Sequence, residues 1–167
     1  QWSEAAVIHD GYGLTRQGKT QFLINAVKNI KSAPPNLRVC YLTEGGTNCC
    51  QCEKCSRTIT ALIACNADPR EYGFNIEINE FVRLTKNKFN KIKFAFKENE
   101  IFHWNDISQH IQIETIDKNK RIEIEYLNWI KNYNFKEYGT YYQVKRLKKE
   151  QNIFRKLKYK IKSLLAS

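Results

Sequence analysis

Five of the six cysteines of this chain fall in one short stretch, CYLTEGGTNCCQCEKC. Cys49, Cys52 and Cys55 follow at C-x2-C-x2-C spacing, and eight residues separate Cys40 from Cys49. A C-x2-C turn aims two thiolates at one ion and lets backbone N–H groups support the sulfurs. Four thiolates close a tetrahedral site around Zn²⁺ and leave no position for water. The spacing therefore predicts a structural zinc site rather than a catalytic one.

Other arrangements of these cysteines stay open at the level of the sequence. Six cysteines can pair as disulfides, four thiolates can hold an iron–sulfur cluster, and reduced thiols can remain unliganded. Cys50 is an alternative ligand to Cys49, which we favour because it keeps the regular spacing. Cys65 lies in an apolar part of a predicted helix, residues 56–66, and is predicted to be a buried small side chain rather than a ligand.

The segment from Cys40 through NCCQCEKC to Arg57-Thr58 resembles the C-terminal zinc module of 7-cyano-7-deazaguanine synthase and its relatives. Those proteins are similar to the adenine nucleotide α-hydrolases, or PP-loop ATP pyrophosphatases. The family pattern has one cysteine, a short loop, and then C-G-x-C-x2-C entering a helix. Cys40, Cys49, Cys52 and Cys55 match its four ligands, and Cys50 stands where the family has glycine. The resemblance covers residues 7–68.

The resemblance also implies what this chain lacks. Family members bind ATP in an N-terminal α/β domain that begins with a Ser-Gly-Gly-x-Asp-Ser loop, and no such loop occurs here. The chain also contains no methionine. We therefore expect a non-catalytic, C-terminal part of a longer enzyme, with its own missing N-terminal domain as partner and ATP bound only there. Within that group, the chain resembles synthase-like proteins encoded with surface-polysaccharide genes, which implies a link to surface-polysaccharide biosynthesis.

Residues 13–20, GLTRQGKT, fit the phosphate-binding pattern G-x-x-x-x-G-K-[ST]. A working P-loop also needs a preceding buried strand and a later strand ending in a magnesium-binding aspartate, and no later stretch supplies the second. We therefore interpret Thr15 as the N-cap of a helix. Asp10-Gly11 and Thr15-Arg16 resemble the family's approach to the zinc module. The predicted contacts with substrate or with the missing domain are Asp10, Arg16, Lys19 and Arg57.

Hydrophobic periodicity predicts an α+β fold that is mainly α, with the four-cysteine zinc knuckle between helices. The predicted helices cover residues 15–31, 52–66, 77–97 and 142–165, and the predicted strands cover residues 5–9 and 37–42. Residues 104–107 have the pattern of a helix start capped by Asn105 or Asp106. The pattern at residues 121–133 fits both strand and helix.

Three units are predicted along the chain. Residues 1–70 hold the helix and the zinc module, residues 71–141 a helical extension, and residues 142–167 a basic amphipathic helix. The net charge of +11 is concentrated in the last unit, because residues 143–162 contain nine Lys and Arg residues and one acid, Glu150.

The basic last unit supports two alternative functions. One is a zinc-ribbon-like module that binds nucleic acid, and the other is docking to an anionic membrane or a protein partner through residues 142–167. The sequence has no signal-peptide pattern and no apolar run long enough to span a bilayer. We expect a cytoplasmic protein, with peripheral membrane association as the alternative.

Overall fold

The computed structural model describes residues 11–90, residues 96–135 and Ile153. These residues form five α-helices and two short 3-10 turns, and they contain no β-strand. The helices are α1 (Arg16–Ile30), α2 (Glu53–Ala64), α3 (Ile78–Phe89), α4 (Glu98–His110) and α5 (Arg121–Lys131), and the 3-10 turns are Pro69–Tyr72 and Ile113–Thr115. The described part of the chain is thus mainly helical, and the α+β class predicted from the sequence is wrong for it.

The strand predicted at residues 37–42 is an extended segment without a partner strand. The amides of Val39 and Cys40 donate to Oδ1 of Asn48, at 3.1 and 3.3 Å. The amide of Leu37 donates to the carbonyl oxygen of Tyr72 at 3.0 Å. Because a side chain and a turn use these donors, no ladder is needed to satisfy the backbone. The strand-like sequence pattern at residues 37–42 therefore does not indicate a β-sheet here.

Helix α1 begins as the sequence predicts. Thr15 is its N-cap, and the Thr15 side chain accepts a hydrogen bond from the amide of Gly18 at 3.1 Å. The helix ends at Ile30, and its C-cap Lys31 has a left-handed backbone with φ of 51° and precedes the Pro34-Pro35 pair. Gly18, Lys19 and Thr20 accordingly lie inside a helix, so their backbone does not form a phosphate-binding loop.

Helix α4 corrects the helix start predicted at residues 104–107. The helix begins at Glu98, where the amide of Lys97 donates to the Glu100 carboxylate at 2.8 Å. Trp104 and Asp106 therefore lie in the middle of α4 and are buried. The ambiguous residues 121–133 are helical over Arg121–Lys131.

Helix α2 lies at the centre of the described fold. Every residue from Cys55 to Ala64 is buried, and α1, α4 and α5 all contact this helix. Some of its buried polar side chains are hydrogen-bonded inside the fold. Thr60 and the fully buried Tyr126 hydroxyl, for example, are hydrogen-bonded at 2.7 Å. The fold thus encloses the helix that follows the cysteine stretch.

An aromatic cluster forms the other half of the core, between α3, α4 and α5. Trp104 stacks on Phe135 with ring centroids 5.6 Å apart, and Phe89 meets Trp104 edge to face at 5.0 Å. The remaining members of this cluster are Phe96, Trp129 and Tyr133. Aromatic burial of this kind supplies much of the stability of a small helical core.

Several predicted features lie outside the described residues. These are the strand at residues 5–9, Asp10, and the basic helix at residues 142–165 apart from Ile153. The helix predicted for residues 77–97 is too long, because α3 ends at Phe89 and residues 96 and 97 are not helical. Of the helices that the structure describes, none combines the length and the apolar composition that crossing a bilayer requires.

Candidate metal centre

The sulfur atoms of Cys40, Cys49, Cys52 and Cys55 all lie within 4.8 Å of one another. The Cys49 and Cys55 sulfurs are 3.9 Å apart, and the Cys40 and Cys52 sulfurs are 4.0 Å apart. A disulfide requires about 2.05 Å. A Zn–S bond of about 2.3 Å gives a tetrahedron of sulfurs an edge of about 3.8 Å. The observed spacing is therefore that of four ligands around one ion, and such a group can hold a metal.

Backbone amides point at the sulfurs, as they do in metal knuckles. The Cys49 sulfur accepts from the amides of Cys52 at 3.2 Å and Gln51 at 3.5 Å. The Cys52 sulfur accepts from the amide of Cys55 at 3.4 Å, which makes Cys52 the N-cap of α2. Donors of this kind, together with the positive end of a helix dipole, stabilise thiolate over thiol.

The pKa values of the thiols differ with their surroundings. Hydrogen bonds from the amides of Cys49 and Leu42 lower the pKa of Cys40 to about 6. Burial raises the pKa of Cys52 and of Cys55 above the usual thiol value. Charging these two buried sulfurs is costly unless a cation offsets the charge, and a bound metal ion supplies that charge directly.

Asn48 ties the two halves of the cysteine stretch together. Its Oδ1 accepts from the amides of Val39 and Cys40, as described above, and its Nδ2 donates to the carbonyl oxygens of Leu37 at 2.7 Å and Gly73 at 3.0 Å. One side chain thereby places Cys40 opposite the Cys49 turn. The sequence analysis did not single out this residue, because an asparagine in a glycine-rich loop carries no spacing signal.

Gly73, whose carbonyl oxygen accepts a hydrogen bond from Asn48, has an unusual backbone conformation. Its φ of 87° is in the left-handed region. A Cβ atom there would collide with the side chain of Asn36, which would have to turn away. The left-handed backbone also strains any residue with a Cβ, so glycine is favoured at this position.

Cys50 and Cys65 are not members of the four-sulfur group. Cys50 is buried with its thiol 3.6 Å from the carbonyl oxygen of Asn48, and its backbone is left-handed with φ of 56°. This is the conformation that glycine adopts without cost, and glycine is the residue of the resembling family at this position. Cys65 is buried at the end of α2, where its sulfur accepts from Nε2 of Gln17 at 3.2 Å.

Charged side chains surround the start of α2. Glu53, in its first turn, accepts from Nε1 of Trp104 at 3.1 Å and lies 3.5 Å from Nε of Arg57. Burial raises the pKa of Glu53, and the charge of Arg57 opposes that shift. Lys88 of α3 donates to the carbonyl oxygen of Gln51 inside the cysteine turn. These cations offset the negative charge that four thiolates bring.

Of the predicted contact residues, the structure brings Arg16 and Lys19 together on α1 and places Arg57 on a different helix, α2. Asp10 lies outside the described residues. Arg57 is buried and paired with Glu53, whereas Arg16 and Lys19 are exposed on α1. Glu53, Trp104 and Lys88 were missed in the sequence analysis, because their partners lie tens of residues away and no local pattern links them.

No family model matches this chain, and neither the curated proteins nor the solved structures contain a significant match to it. The metal centre accordingly stands on its own geometry.

Proposed function

We propose that Cys40, Cys49, Cys52 and Cys55 hold one structural zinc ion. The sulfur separations of 3.9 and 4.0 Å carry this proposal. Several irons in a cluster would each take their own thiolates and spread the sulfurs farther apart, whereas four sulfurs within 4.8 Å fit a single ion. With four protein ligands the zinc has no open position, so its role is to fix the fold.

We further propose that the module docks onto the N-terminal catalytic domain of an ATP-dependent enzyme of the synthase-like group named above. Exposed apolar side chains support docking. Phe22 and Ile30 are 67% and 72% exposed on α1, and Tyr41 and Leu42 are 82% and 77% exposed beside Cys40. Large apolar side chains exposed on a small domain mark an interaction surface. Any ATP would bind in that partner domain.

The charge distribution favours a second candidate, a zinc-ribbon-like module that binds nucleic acid. The nine basic residues of 143–162 provide the electrostatic attraction that binding to phosphate backbones requires. This candidate predicts that the chain binds RNA or DNA with an affinity that falls steeply as salt is raised, and that deletion of residues 142–167 abolishes binding.

Metal analysis of the purified chain tests the first proposal. We expect one zinc per chain and none after Cys52→Ser, because three thiolates leave the tetrahedron open. Cys50→Ser is the matched control, since it removes a neighbouring thiol that lies outside the group, and it should retain zinc. Iron in place of zinc, or equal zinc loss in both variants, would contradict the assignment.

The docking proposal has a separate test. The sequence encoded upstream of Gln1 should contain a Ser-Gly-Gly-x-Asp-Ser loop, and the domain carrying it should bind this module when the two are produced as separate chains. Phe22→Asp should weaken that binding, whereas Phe102→Asp, an equally conspicuous exposed aromatic on α4, should not. An upstream region without the loop would sink the relationship to the synthase-like group.

A further inference from the structure

A cleft of about 470 Å³ opens between α1, α2, α4 and the extended segment before Cys40. This volume is in the range of pockets that bind small organic molecules. Lys19 and Thr20 of the G-x-x-x-x-G-K-[ST] pattern line this cleft. Both residues belong to helix α1, so their backbone amides do not form a phosphate-binding loop. The cleft is separate from the cysteine group, although Val39 in its wall is the neighbour of Cys40.

One side of the cleft is cationic. Arg16 and Lys19 lie one turn apart on α1, and His103 of α4 completes this side. No acidic residue lines the cleft, and in the part of the chain that the structure describes neither Arg16 nor Lys19 lies within ion-pair distance of a carboxylate. The two basic side chains therefore line the cleft without an acidic partner within ion-pair distance among the described residues.

Nearby positive charges also affect His103, which lines the same cleft. Its Nδ1 is buried without a hydrogen-bond partner in the structure. Burial lowers the pKa of His103, and the charges of Arg57 and Arg16 lower it further. An anion in the cleft would offset those charges and favour the protonated, positively charged form of His103.

The amides at the start of α1 do not provide the anion site. The amide of Gln17 donates to the carboxylate of Asp106 at 3.3 Å, and that of Gly18 donates to Thr15. The hydroxyls of Thr20 and Thr58 donate to their own helix backbones. Recognition of an anion would therefore fall to the three basic side chains.

Apolar side chains also line the cleft. They are Leu23 of α1, Val39 of the extended segment and Ala61 of α2. A bare inorganic ion would leave these side chains uncovered, whereas a ligand with an apolar body would cover them and gain affinity from the buried area.

We propose that this cleft binds a small phosphate monoester, with its phosphate between Arg16, Lys19 and His103 and its apolar body against Leu23, Val39 and Ala61. A guanidinium and an ammonium side by side suit the several oxygens of a phosphate, and arginine binds two of them at once. The inference rests on the proposed function in one respect, because the metal centre holds the Val39 wall in place through Cys40.

Titration calorimetry of the 167-residue chain with phenyl phosphate tests the proposal. We expect saturable binding that is tighter than binding of inorganic phosphate, since only phenyl phosphate contacts the apolar side chains. Arg16→Gln combined with Lys19→Gln should weaken binding by at least about tenfold, because two charge-assisted contacts are lost. Lys28→Gln combined with Lys31→Gln removes the same charge from the same helix outside the cleft, and should change affinity less than about twofold.

Three outcomes would overturn the proposal: no saturable binding at millimolar phenyl phosphate, equal affinity for the two probes, or equal weakening in the cleft and control variants. Zinc is measured on the same preparations. Lost binding with zinc retained in the cleft variant supports the cleft assignment. If the purified chain contains no zinc but still binds phenyl phosphate, the zinc proposal is wrong and the cleft proposal stands.

Discussion

The cysteine loop, residues 37–55, and the aromatic cluster are held together by different forces. The loop exposes Tyr41 and Leu42 and buries few large side chains, so its conformation depends on the hydrogen bonds of Asn48 and on the cysteine sulfurs. The aromatic cluster excludes water from Trp104, Phe89 and Phe135, all at most 1% exposed. A region with little apolar burial needs a cross-link to stay ordered, and a metal ion supplies one.

Helix α2 connects the two regions. It begins at the Cys52 cap and runs buried to Ala64, and Glu53 at its start bonds to Trp104 of the aromatic cluster. Mutations in the aromatic cluster should therefore also destabilise the cysteine loop, whereas loss of order in the loop need not extend beyond the start of α2. The predictions below test this asymmetry.

Removal of the metal should have the largest effect, and that effect should be local. A strong chelator is expected to remove protection from hydrogen exchange at the amides of residues 37–52, because four adjacent thiolates, two of them buried, repel one another without a cation. The amides of α3, α4 and α5 should stay protected. Hydrogen exchange with mass spectrometry distinguishes this result from global unfolding, which would show that the two regions form one cooperative unit.

Trp104→Ala should lower the free energy of unfolding by about 3–5 kcal/mol, because it leaves a large cavity and removes the hydrogen bond to Glu53. Urea denaturation measures the loss, and zinc affinity should fall with it. Phe102→Ala, two residues earlier and 62% exposed, is the matched control with a loss below about 0.5 kcal/mol. Equal losses in the two variants would mean that the cluster does not carry the core.

Asn48→Ala should cost about 2–3 kcal/mol, since it leaves several half-buried backbone groups without partners. The loss should appear mainly as weaker zinc binding, measured by competition with a chromogenic chelator. Asn87→Ala, on an exposed position of α3, serves as the control. Unchanged zinc affinity after Asn48→Ala would show that the sulfurs position themselves without this side chain.

Asp68→Asn should have the smallest effect, a fraction of a kcal/mol, because solvent screens its pair with Arg70. The hydrogen bonds from Arg70 lower the pKa of Asp68 in the folded chain. Its contribution is therefore present above the unfolded pKa of about 3.9 and is lost as the pH falls through the lower folded value. Denaturation curves of the two proteins should differ slightly at neutral pH and converge in acid; a difference that grows in acid would reverse this sign.

The features predicted correctly from the sequence depend on residues that are close together in the chain. The cap at Thr15 and the four-cysteine spacing each involve residues close in the chain, and the structure brings both together as expected. The strand at residues 37–42 was predicted wrongly because pairing depends on a distant partner, and here the partner is Asn48. The start of α4 was misplaced because the polar pair Asn105-Asp106 resembles a cap although α4 already runs through it.

The sequence did not predict that α2 is buried on all sides, because the helix contains several polar residues. Ser56, Arg57 and Thr60 are buried polar residues, and the hydroxyl of Thr60 pairs with Tyr126 of α5. Nothing in the segment itself shows that all of its sides are covered. The left-handed backbone of Cys50 was easier to anticipate, since a tight turn between the cysteines favours glycine at that position.

The burial of α2 has a consequence for the order of events during synthesis. The four cysteines are complete once Cys55 has left the ribosome, whereas the aromatic side chains that bury α2 extend to Phe135. At about 5–20 residues per second, the nascent chain spends several seconds with its thiols exposed and its central helix uncovered. Early capture of a metal ion would protect those thiols from oxidation and fix the first turn of α2 before the rest of the core arrives.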